Sequence, residues 1–377
     1  WVQYPKGTGI DEVLRTVKRA PKGYKREDMV DISCHGGIVS LKAIVDLICL
    51  YGIRLAEPGE FTKRAFLNGR IDLTQAEAVL DIIQSKTENF LRVSTNQLKG
   101  ELSIELERNR EKLMNVYVEI EAIVNFPEDE INARTKEKIM KIVVEVKSRV
   151  EKLLQTSDQG RILKDGIKIV ICGRPNVGKS SLLNVLLKTE RAIVSNIAGT
   201  TRDTIEETAQ IRGIPFQLID TAGILNPRDI IEEEAIKRSQ MNIESADLVL
   251  LMLDRSAKLT DEDERLMTQL KNRQAIIVLN KTDLPSAIDE KEFVQRFSHQ
   301  KIVSISAARQ KGIEELEKAM VDAVMRGEVV DTQTVLVSNI RHIQSLKKCL
   351  EYLQKVEKGF KEDISFEFIS EEIKSAV

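Results

Sequence analysis

The sequence predicts a multidomain protein, mixed α/β plus all-α. An α/β domain, with a parallel sheet flanked by helices, is inserted in a helical domain and preceded by a small α/β unit. Three observations predict this fold class. The chain has 377 residues, more than one compact core usually holds. Residues 167–327 alternate short apolar runs with amphipathic stretches, as β-α-β units do. The flanking regions carry apolar residues at helical spacing.

The elements follow in order along the chain. Short β-like runs such as residues 29–33 alternate with Gly and Pro near the start, which indicates a small α/β unit. Further on, apolar residues recur three and four apart, as at Leu113, Val116 and Ile120, and predict long helices. The predicted boundaries are 1–73 for the N-terminal unit, 74–165 and 328–377 for the two parts of the helical domain, and 166–327 for the inserted domain.

Composition and charge exclude several classes of protein. With 42% hydrophobic and 31% charged residues, the chain is typical of a soluble globular protein and neither disordered, collagen-like nor membrane-embedded. A net charge of -2 does not fit a protein that holds nucleic acid by its phosphates alone, so any RNA contact is expected to be local or shared. Four scattered cysteines support neither a disulfide framework nor a zinc site, and they indicate a cytoplasmic protein.

A phosphate-binding loop is predicted at residues 173–180, which read G-x-x-x-x-G-K-S. A buried strand, 167–172, precedes it, and an apolar helix follows. Glycines let backbone N–H groups point at phosphates, and the helix N-terminus adds partial positive charge. Lys179 is expected to bridge the terminal phosphates and Ser180 to hold Mg²⁺.

Further motifs indicate which base the site binds and which residues contact Mg²⁺ and the γ-phosphate. After the strand 275–279 comes Asn-Lys-Thr-Asp, where the Asp283 carboxylate can accept hydrogen bonds from the N1–H and amine of guanine. Residues 306–308, at the end of another strand, are expected to close over the base. The motif Asp-Thr-Ala-Gly at 220–223 offers the Asp220 carboxylate, which is expected to act on Mg²⁺ through its bound water. Its Gly223 offers a backbone N–H to the γ-phosphate.

Several motifs together resemble a known group of proteins. The sequence Gly-Thr-Thr-Arg-Asp at 199–203, with the motifs above, resembles the Era/TrmE group of TRAFAC-class GTPases. Four other segments are similar to the MnmE (TrmE) family of tRNA-modification GTPases. They are Cys-His-Gly-Gly at 34–37, the run 57–70 that begins with Glu-Pro-Gly-Glu, the segment 72–78, and Asn-Phe-Pro-Glu-Asp-Glu at 125–130. This resemblance covers nearly the whole chain.

The resemblance implies a fold and a function. It implies a tetrahydrofolate-binding N-terminal domain that forms a homodimer, a helical domain, and an inserted G domain that pairs transiently with its copy. Members hydrolyse GTP and, with the flavoprotein MnmG, install an aminomethyl or carboxymethylaminomethyl group at C5 of the wobble uridine of tRNA. They use 5-formyl- or methylene-tetrahydrofolate, and the partner supplies much of the tRNA contact. The resemblance implies no contact with a membrane.

The resemblance also implies site residues. Those expected to act in hydrolysis are Glu232, which orients the attacking water through a bridging water, with Lys179, Thr201 and Gly223. Ser180 and Thr201 are implied as Mg²⁺ ligands, Asn176, Ser195, Ile197 and Thr200 as K⁺ ligands, and Asp31 and Arg70 as folate contacts. The implied GTP contacts are Asn176, Val177, Gly178, Lys179, Ser180, Ser181, Ser195, Thr200, Thr201, Asp220, Thr221, Ala222, Gly223, Asn280, Lys281, Asp283, Ser306 and Ala307.

A physical argument for K⁺ stands beside the resemblance. Ile224 follows Gly223, and an apolar side chain there cannot position water as a Gln does, so charge stabilisation is expected to come from elsewhere. K⁺ held by Asn176 and loop carbonyls would take the place of an arginine finger. Glu232 lies in a run of three glutamates, and the alternative is a solvated helix start whose register is open.

Some positions depart from the family pattern. Asp31 and Arg70 stand where members usually have Glu and Lys. The chain begins at Trp1, without the family's preceding segment, and stops at Val377 without its terminal Cys-x-Gly-Lys. If that tail carries a catalytic thiol or folate ligand, we expect GTP hydrolysis without tRNA modification.

Alternative functions remain at this stage. The first is a regulatory or ribosome-assembly GTPase that uses nucleotide state to select partners, and the second is a nucleotide-dependent scaffold with negligible turnover. The first 73 residues favour the enzyme, since an assembly factor is expected to carry a basic RNA-binding appendage instead. Cys34 and His35 form either a reactive pair or, as is more common beside a Gly turn, a structural one.

Overall fold

The computed structural model describes residues 2–3, 9–126, 133–189, 207–219, 241–297, 299–325 and 334–377. The chain divides into two compact units, residues 1–83 with 97–103 and residues 84–96 with 104–377. The strands are β1 Val2–Gln3, β2 Gly9–Asp11, β3 Leu14–Lys18, β4 Met29–Ser33, β5 Ile167–Cys172, β6 Glu207–Ile211, β7 Ile214–Ile219, β8 Leu248–Asp254, β9 Ala275–Asn280 and β10 Lys301–Ser304. The helices are α1 Ile38–Leu50, α2 Glu60–Leu67, α3 Leu73–Gln84, α4 Glu88–Leu98, α5 Glu101–Asn125, α6 Ala133–Gln155, α7 Ser157–Asp165, α8 Lys179–Thr189, α9 Asp261–Gln269, α10 Glu290–Arg296, α11 Ile313–Met325, α12 Ile340–Lys361 and α13 Phe366–Ala376.

The first unit is a small α/β assembly, as the sequence predicts. Strands β1 and β2 pair antiparallel, and β3 and β4 form a second antiparallel pair in which Thr16 faces Asp31. Helices α1 to α3 follow these strands. Few large side chains are buried here, with Ile44 and Leu47 among them. The apolar residues of this unit therefore form only a small core.

The helical part of the second unit follows the predicted periodicity. Leu113, Val116 and Ile120 are buried along one face of α5, three and four residues apart. Helix α12 packs against both α6 and α13. It begins where Asn339 Oδ1 accepts a hydrogen bond from the backbone N–H of Arg341, at 2.9 Å. The long apolar spacing in the sequence thus predicts the helices correctly.

The α/β part of this unit is built on a six-stranded sheet in the order β10-β9-β8-β5-β7-β6. All neighbouring pairs are parallel except β6 with β7. Arg212 and Gly213 join these two strands in a two-residue turn, with φ of 50° and 78°. Such a turn connects only antiparallel neighbours. The predicted parallel sheet is therefore confirmed, with one antiparallel strand at its edge.

The sheet is covered on both faces. Along β5, Ile169 and Ile171 belong to one buried apolar cluster, whereas Val170 and Cys172 belong to another. Because successive side chains of a strand point to opposite faces, the run reads as continuously apolar. Burial raises the pKa of the Cys172 thiol to about 12, so this cysteine is a core residue.

The core of the α/β part extends beyond the segment predicted for it. The cluster that contains Ile169 also contains Phe90 and Val93 from α4, Leu163 from α7 and Leu336. These four residues lie outside 166–327, so segments on both sides of the insertion complete its core. The domain boundaries given above stay a prediction. Among the helices that the structure describes, none combines the length and the apolar composition that a membrane span requires.

Candidate functional site

The predicted phosphate loop lies between β5 and α8, at the carboxyl end of a central strand. Gly173 has φ +139°, and a Cβ there would lie 2.3 Å from the carbonyl oxygen of Met252. Gly178 has φ +104°, and a Cβ there would lie 2.2 Å from Nδ2 of Asn280. Both positions combine a left-handed backbone with a close neighbour, so only glycine fits them. The spacing of the motif is a requirement of this turn.

The loop leads into the N-terminus of α8. Lys179 is buried, and its Nζ donates to the carbonyl oxygens of Gly173 and Arg174, each at 2.7 Å. Ser180 and Ser181 are exposed in the first turn of the helix. A helix N-terminus with its free N–H groups and an adjacent ammonium forms an anion site. This is the arrangement that binds nucleotide phosphates.

Asn280, at the end of β9, joins the phosphate loop to the residues predicted to hold the base. Its Nδ2 donates to the carbonyl oxygen of Val177 at 2.7 Å, and its Oδ1 accepts from the N–H of Ala307 at 3.0 Å. The side chain is only 3% exposed. Three segments that are remote in sequence therefore meet at one amide group.

Asp283 lies exposed beside this junction. Its Oδ1 accepts a hydrogen bond from Ser306 Oγ at 2.5 Å, and this bond holds the pKa of the carboxyl below its ordinary value. The group is therefore ionised at neutral pH, as an acceptor of two guanine N–H groups must be. Lys281, with φ +68°, donates from Nζ to Asp254 Oδ2 at 2.5 Å. Sequence reasoning missed Asp254, which carries no motif of its own.

A second missed pair holds the phosphate loop. Arg174 Nε donates to Asp263 Oδ1 at 2.9 Å. Asp263 also closes the first turn of α9, where Thr260 is the N-cap residue. The Thr-x-x-Asp spacing is a helix-start signal that predicts the cap, but it gives no indication of the arginine.

The described residues include the predicted phosphate loop and the loops predicted to bind the base, but not the segments that carry the other predicted residues. Asn176, exposed with φ +64°, is the predicted K⁺ ligand that the structure describes. Among the residues that the structure describes, no group of three His, Cys, Asp or Glu side chains is arranged to hold a metal. The predicted residues that lie outside the described part are Ser195, Ile197, Thr200, Thr201, Asp220, Thr221, Ala222, Gly223 and Glu232.

The two predicted folate contacts lie in the first unit. Asp31 on β4 forms an ion pair with Lys18 Nζ at 2.5 Å. The guanidinium of Arg70 lies over the ring of Tyr24, 5.9 Å from its centre. Each side chain therefore has a neighbour of its own, and their joint role stays a prediction.

The Cys34–His35 segment is held by the partly buried carboxylate of Asp11. His35 Nδ1 lies 2.8 Å from Asp11 Oδ1, and the backbone N–H of His35 donates to Asp11 Oδ2 at 2.9 Å. Ser40 Oγ donates to the same oxygen. These hydrogen bonds lower the pKa of Asp11 to about 2, and the bond with the His35 side chain contributes most. The carboxylate thus fixes the turn before α1.

The chain is similar to proteins of one family along nearly its whole length. The family model of the MnmE helical domain matches residues 73–377, and that of the GTP-binding protein TrmE N-terminus matches residues 1–70. The tRNA modification GTPase MnmE of Alkaliphilus metalliredigens is 44% identical over 367 residues, which cover 97% of this chain and 80% of that protein. The protein of the same name from Bacillus cytotoxicus is 46% identical over 335 residues, 89% of this chain and 73% of the relative.

Solved structures show a fainter likeness. Era from Aquifex aeolicus is 27% identical with a TM-score of 0.35, and the match covers 49% of this chain and 66% of Era. That likeness is too low to carry an argument. The two family models and the high identity over most of the chain are sufficient without it: the chain belongs to the MnmE (TrmE) family of tRNA-modification GTPases.

Proposed function

We propose that this chain binds GTP, hydrolyses it to GDP and phosphate, and couples hydrolysis to modification of the wobble uridine of tRNA. One observation carries the proposal: the Asn280 amide joins the phosphate loop, through Val177, to the segment that closes over the base, through Ala307. Phosphate and guanine recognition are therefore parts of one site. The family's name for its members supports the tRNA step.

Each residue has a role set by its chemistry. The Lys179 ammonium neutralises charge on the terminal phosphates, and the first N–H groups of α8 bind their oxygens. Ser180 fits an Mg²⁺ ligand, because its hydroxyl is exposed in the first turn of α8, and Thr201 is the proposed second ligand. Bound Mg²⁺ supplies neutralisation of charge on the β- and γ-phosphates. Gly223 is proposed to donate its N–H to the γ-phosphate and Glu232 to orient water.

Asn176 is proposed to hold K⁺ together with Ser195, Ile197 and Thr200. Asn176 is exposed in the phosphate loop, and its neutral amide oxygen is a ligand type that suits a hard monovalent cation. When bound, K⁺ supplies positive charge where other GTPases use an arginine finger. The Ile224 position, which has no side chain able to orient water, supports this proposal.

The N-terminal unit is proposed to bind a one-carbon tetrahydrofolate, 5-formyl or methylene, through Asp31 and Arg70. The match of residues 1–70 to the TrmE N-terminal model supports it. The flavoprotein MnmG is the proposed partner for the redox chemistry and for much of the tRNA contact. A cytoplasmic location stays a prediction.

The same unit is proposed to form a homodimer, while the G domains pair transiently. Large apolar side chains of this unit are exposed to an unusual degree, with Ile38 at 86% and Val39 at 83%. Large exposed apolar patches mark interaction sites, and these side chains are the candidates for one. The other exposed apolar residues here include Leu14, Val30, Leu41, Leu50, Tyr51, Ile53, Leu55, Phe61 and Leu67.

Nucleotide selectivity tests the proposed site. In Asp283→Asn, the amide presents a donor where guanine needs an acceptor, so we expect GTP affinity to fall about 100-fold and xanthosine triphosphate to bind better. Fluorescent nucleotide titration measures both affinities. Asp261→Asn, on the exposed start of α9, is the matched control and is expected to bind GTP as the wild type does. Preference of the wild type for ATP would overturn the proposal.

Folate binding separates the tRNA-modifying enzyme from an assembly factor. Calorimetric titration with 5-formyltetrahydrofolate is expected to show binding that Arg70→Ala weakens about tenfold, because the guanidinium pairs with a carboxylate of the ligand. Lys63→Ala removes an exposed cation from α2 and is the control. No heat of binding at millimolar ligand would contradict the folate proposal and leave the GTPase proposal standing.

A further inference from the structure

A fully buried carboxylate lies next to the phosphate loop. Asp263 is 0% exposed, although it stands in the first turn of a surface helix. Its Oδ2 accepts from the N–H and the hydroxyl of Thr260, each at 3.0 Å. These bonds complete a helix cap, which needs neither burial nor a cation. The second oxygen, Oδ1, accepts from Arg174 Nε at 2.9 Å.

Arg174 is thereby held on two sides. Its guanidinium is bound to α9 through Asp263, and its backbone carbonyl accepts from Lys179 Nζ at 2.7 Å. The ion pair is largely buried, with side-chain exposures of 22% and 0%. An ion pair shielded from water keeps a defined geometry, whereas an exposed one does not. The start of the loop is therefore fixed to α9.

The other end of the loop has a separate anchor. Asn280 binds the carbonyl of Val177, and the N–H groups that follow belong to the phosphate cradle and α8. Between the two anchors lie Pro175 and Asn176, both exposed. Asn176 has φ +64°, a conformation that asparagine adopts more readily than most residues but that still costs energy. The geometry of this residue depends on the anchors at its two sides.

We propose that Arg174, through Asp263, is a positioning residue that holds Asn176 in the orientation in which its amide oxygen binds K⁺. This inference rests on the proposed role of K⁺ in GTP hydrolysis. Loss of the Arg174 anchor frees the Asn176 side of the loop, while the Val177 anchor keeps the phosphate cradle in place. K⁺ affinity is therefore expected to change more than nucleotide affinity.

The variants separate the ion pair from the stability of the fold. Arg174→Gln removes the cation, and Arg174→Gln with Asp263→Asn removes both charges, so that no unpaired carboxylate stays buried. Arg174→Lys keeps the charge but loses the planar guanidinium, so it is expected to keep part of the K⁺ affinity that Arg174→Gln loses. The control is Arg296→Gln, which breaks the exposed ion pair with Glu264 on the same helix α9.

Two measurements on the full chain report K⁺ affinity. The first is the K⁺ concentration that gives half-maximal GTP turnover, with KM for GTP determined at saturating K⁺. The second needs no turnover: the melting temperature with a non-hydrolysable GTP analogue is followed as K⁺ replaces Na⁺. For Arg174→Gln and for the double variant, we expect both measurements to show a rise of about tenfold in the half-saturating K⁺ concentration. KM for GTP is expected to change less than about threefold.

The outcomes distinguish this inference from the proposed function. If wild-type turnover and melting temperature are the same in K⁺ and Na⁺, the proposed role of K⁺ is wrong, and the inference falls with it. If the wild type responds to K⁺ and the double variant keeps the wild-type half-saturating concentration, only the inference is overturned. It is also overturned if KM for GTP and the K⁺ concentration rise by the same factor, or if Arg296→Gln has an equal effect.

Discussion

The α/β part of the second unit and the N-terminal unit place their apolar residues in opposite ways. Strand β8 is buried from Leu248 to Leu253, and both faces of its sheet are covered by helices. In the N-terminal unit, by contrast, strand β3 is exposed at four of its five positions, and α1 exposes Ile38 and Val39. The first region has a well-buried core and carries the predicted phosphate loop. The second exposes large apolar side chains, which the proposed homodimer would cover.

We expect this difference to separate nucleotide binding from formation of the proposed homodimer. The contacts that shape the phosphate loop come from β8, β9, α9 and the segment after β10, all within one compact unit. We therefore expect nucleotide binding to depend on this unit alone. Formation of the homodimer is expected to depend on the other unit, whereas the proposed transient pairing of the G domains involves the second unit itself. Changes made in one region should leave the function of the other intact.

The largest effect is expected from Lys179→Ala. Removal of the ammonium that neutralises the terminal phosphates should lower GTP turnover at least 100-fold, roughly the cost of a lost transition-state charge contact. Phosphate release measures it. Lys188→Ala, exposed in the last turn of the same helix, should keep wild-type turnover. Light scattering should give an unchanged mass for Lys179→Ala. A changed mass would contradict the expectation that the two regions function independently.

A matched pair of leucines compares the two cores. Leu250 is 0% exposed in β8, and Leu50 is 73% exposed at the end of α1. Leu250→Ala should lower the free energy of unfolding by about 2–5 kcal/mol through lost burial and a cavity. Leu50→Ala should change it by less than about 0.5 kcal/mol. Urea unfolding followed by circular dichroism measures both, and similar losses would contradict the comparison.

Self-association should depend on the exposed face of α1. Val39→Glu places a charge on this apolar surface, and burying it in an interface should raise the dissociation constant of the dimer at least about tenfold. Analytical ultracentrifugation measures the constant. Val144→Glu adds the same charge at an exposed apolar position of α6 and should leave it unchanged. A monomeric wild type, or equal effects of both variants, would count against the proposed dimer surface.

The smallest effect concerns the turn before α1. The Asp11 carboxyl has its pKa lowered from 3.8 to about 2, chiefly by the His35 side chain. Because the pKa of this carboxyl is lower in the folded state, ionised Asp11 stabilises the fold at any pH above its ordinary pKa. That contribution is lost as the pH falls from about 4 toward about 2. The difference in urea midpoint between wild type and Asp11→Asn should therefore narrow between about pH 5 and about pH 2.5. Asp46→Asn, exposed on α1, is the control, and a constant difference for Asp11→Asn would refute the assignment.

Much of the site is predictable because its motifs are local. Residues 173–180 are contiguous, and the backbone turn that they form requires glycine at two fixed positions. The helical spacing in α5 and the apolar runs of β5 and β9 likewise depend on near neighbours. The antiparallel edge strand β6 was not predicted, since its turn at Arg212 and Gly213 has no motif as clear as Asn-Gly.

The sequence alone determined the loop chemistry, the order of the elements and the family, because each rests on residues that are adjacent or regularly spaced. Only the tertiary structure decided which distant side chains anchor that loop. Asp263 is 89 positions from Arg174, and Asn280 is 103 from Val177. They meet because parallel strands bring their carboxyl ends to one edge of the sheet, and the order of those strands depends on packing that no local pattern records.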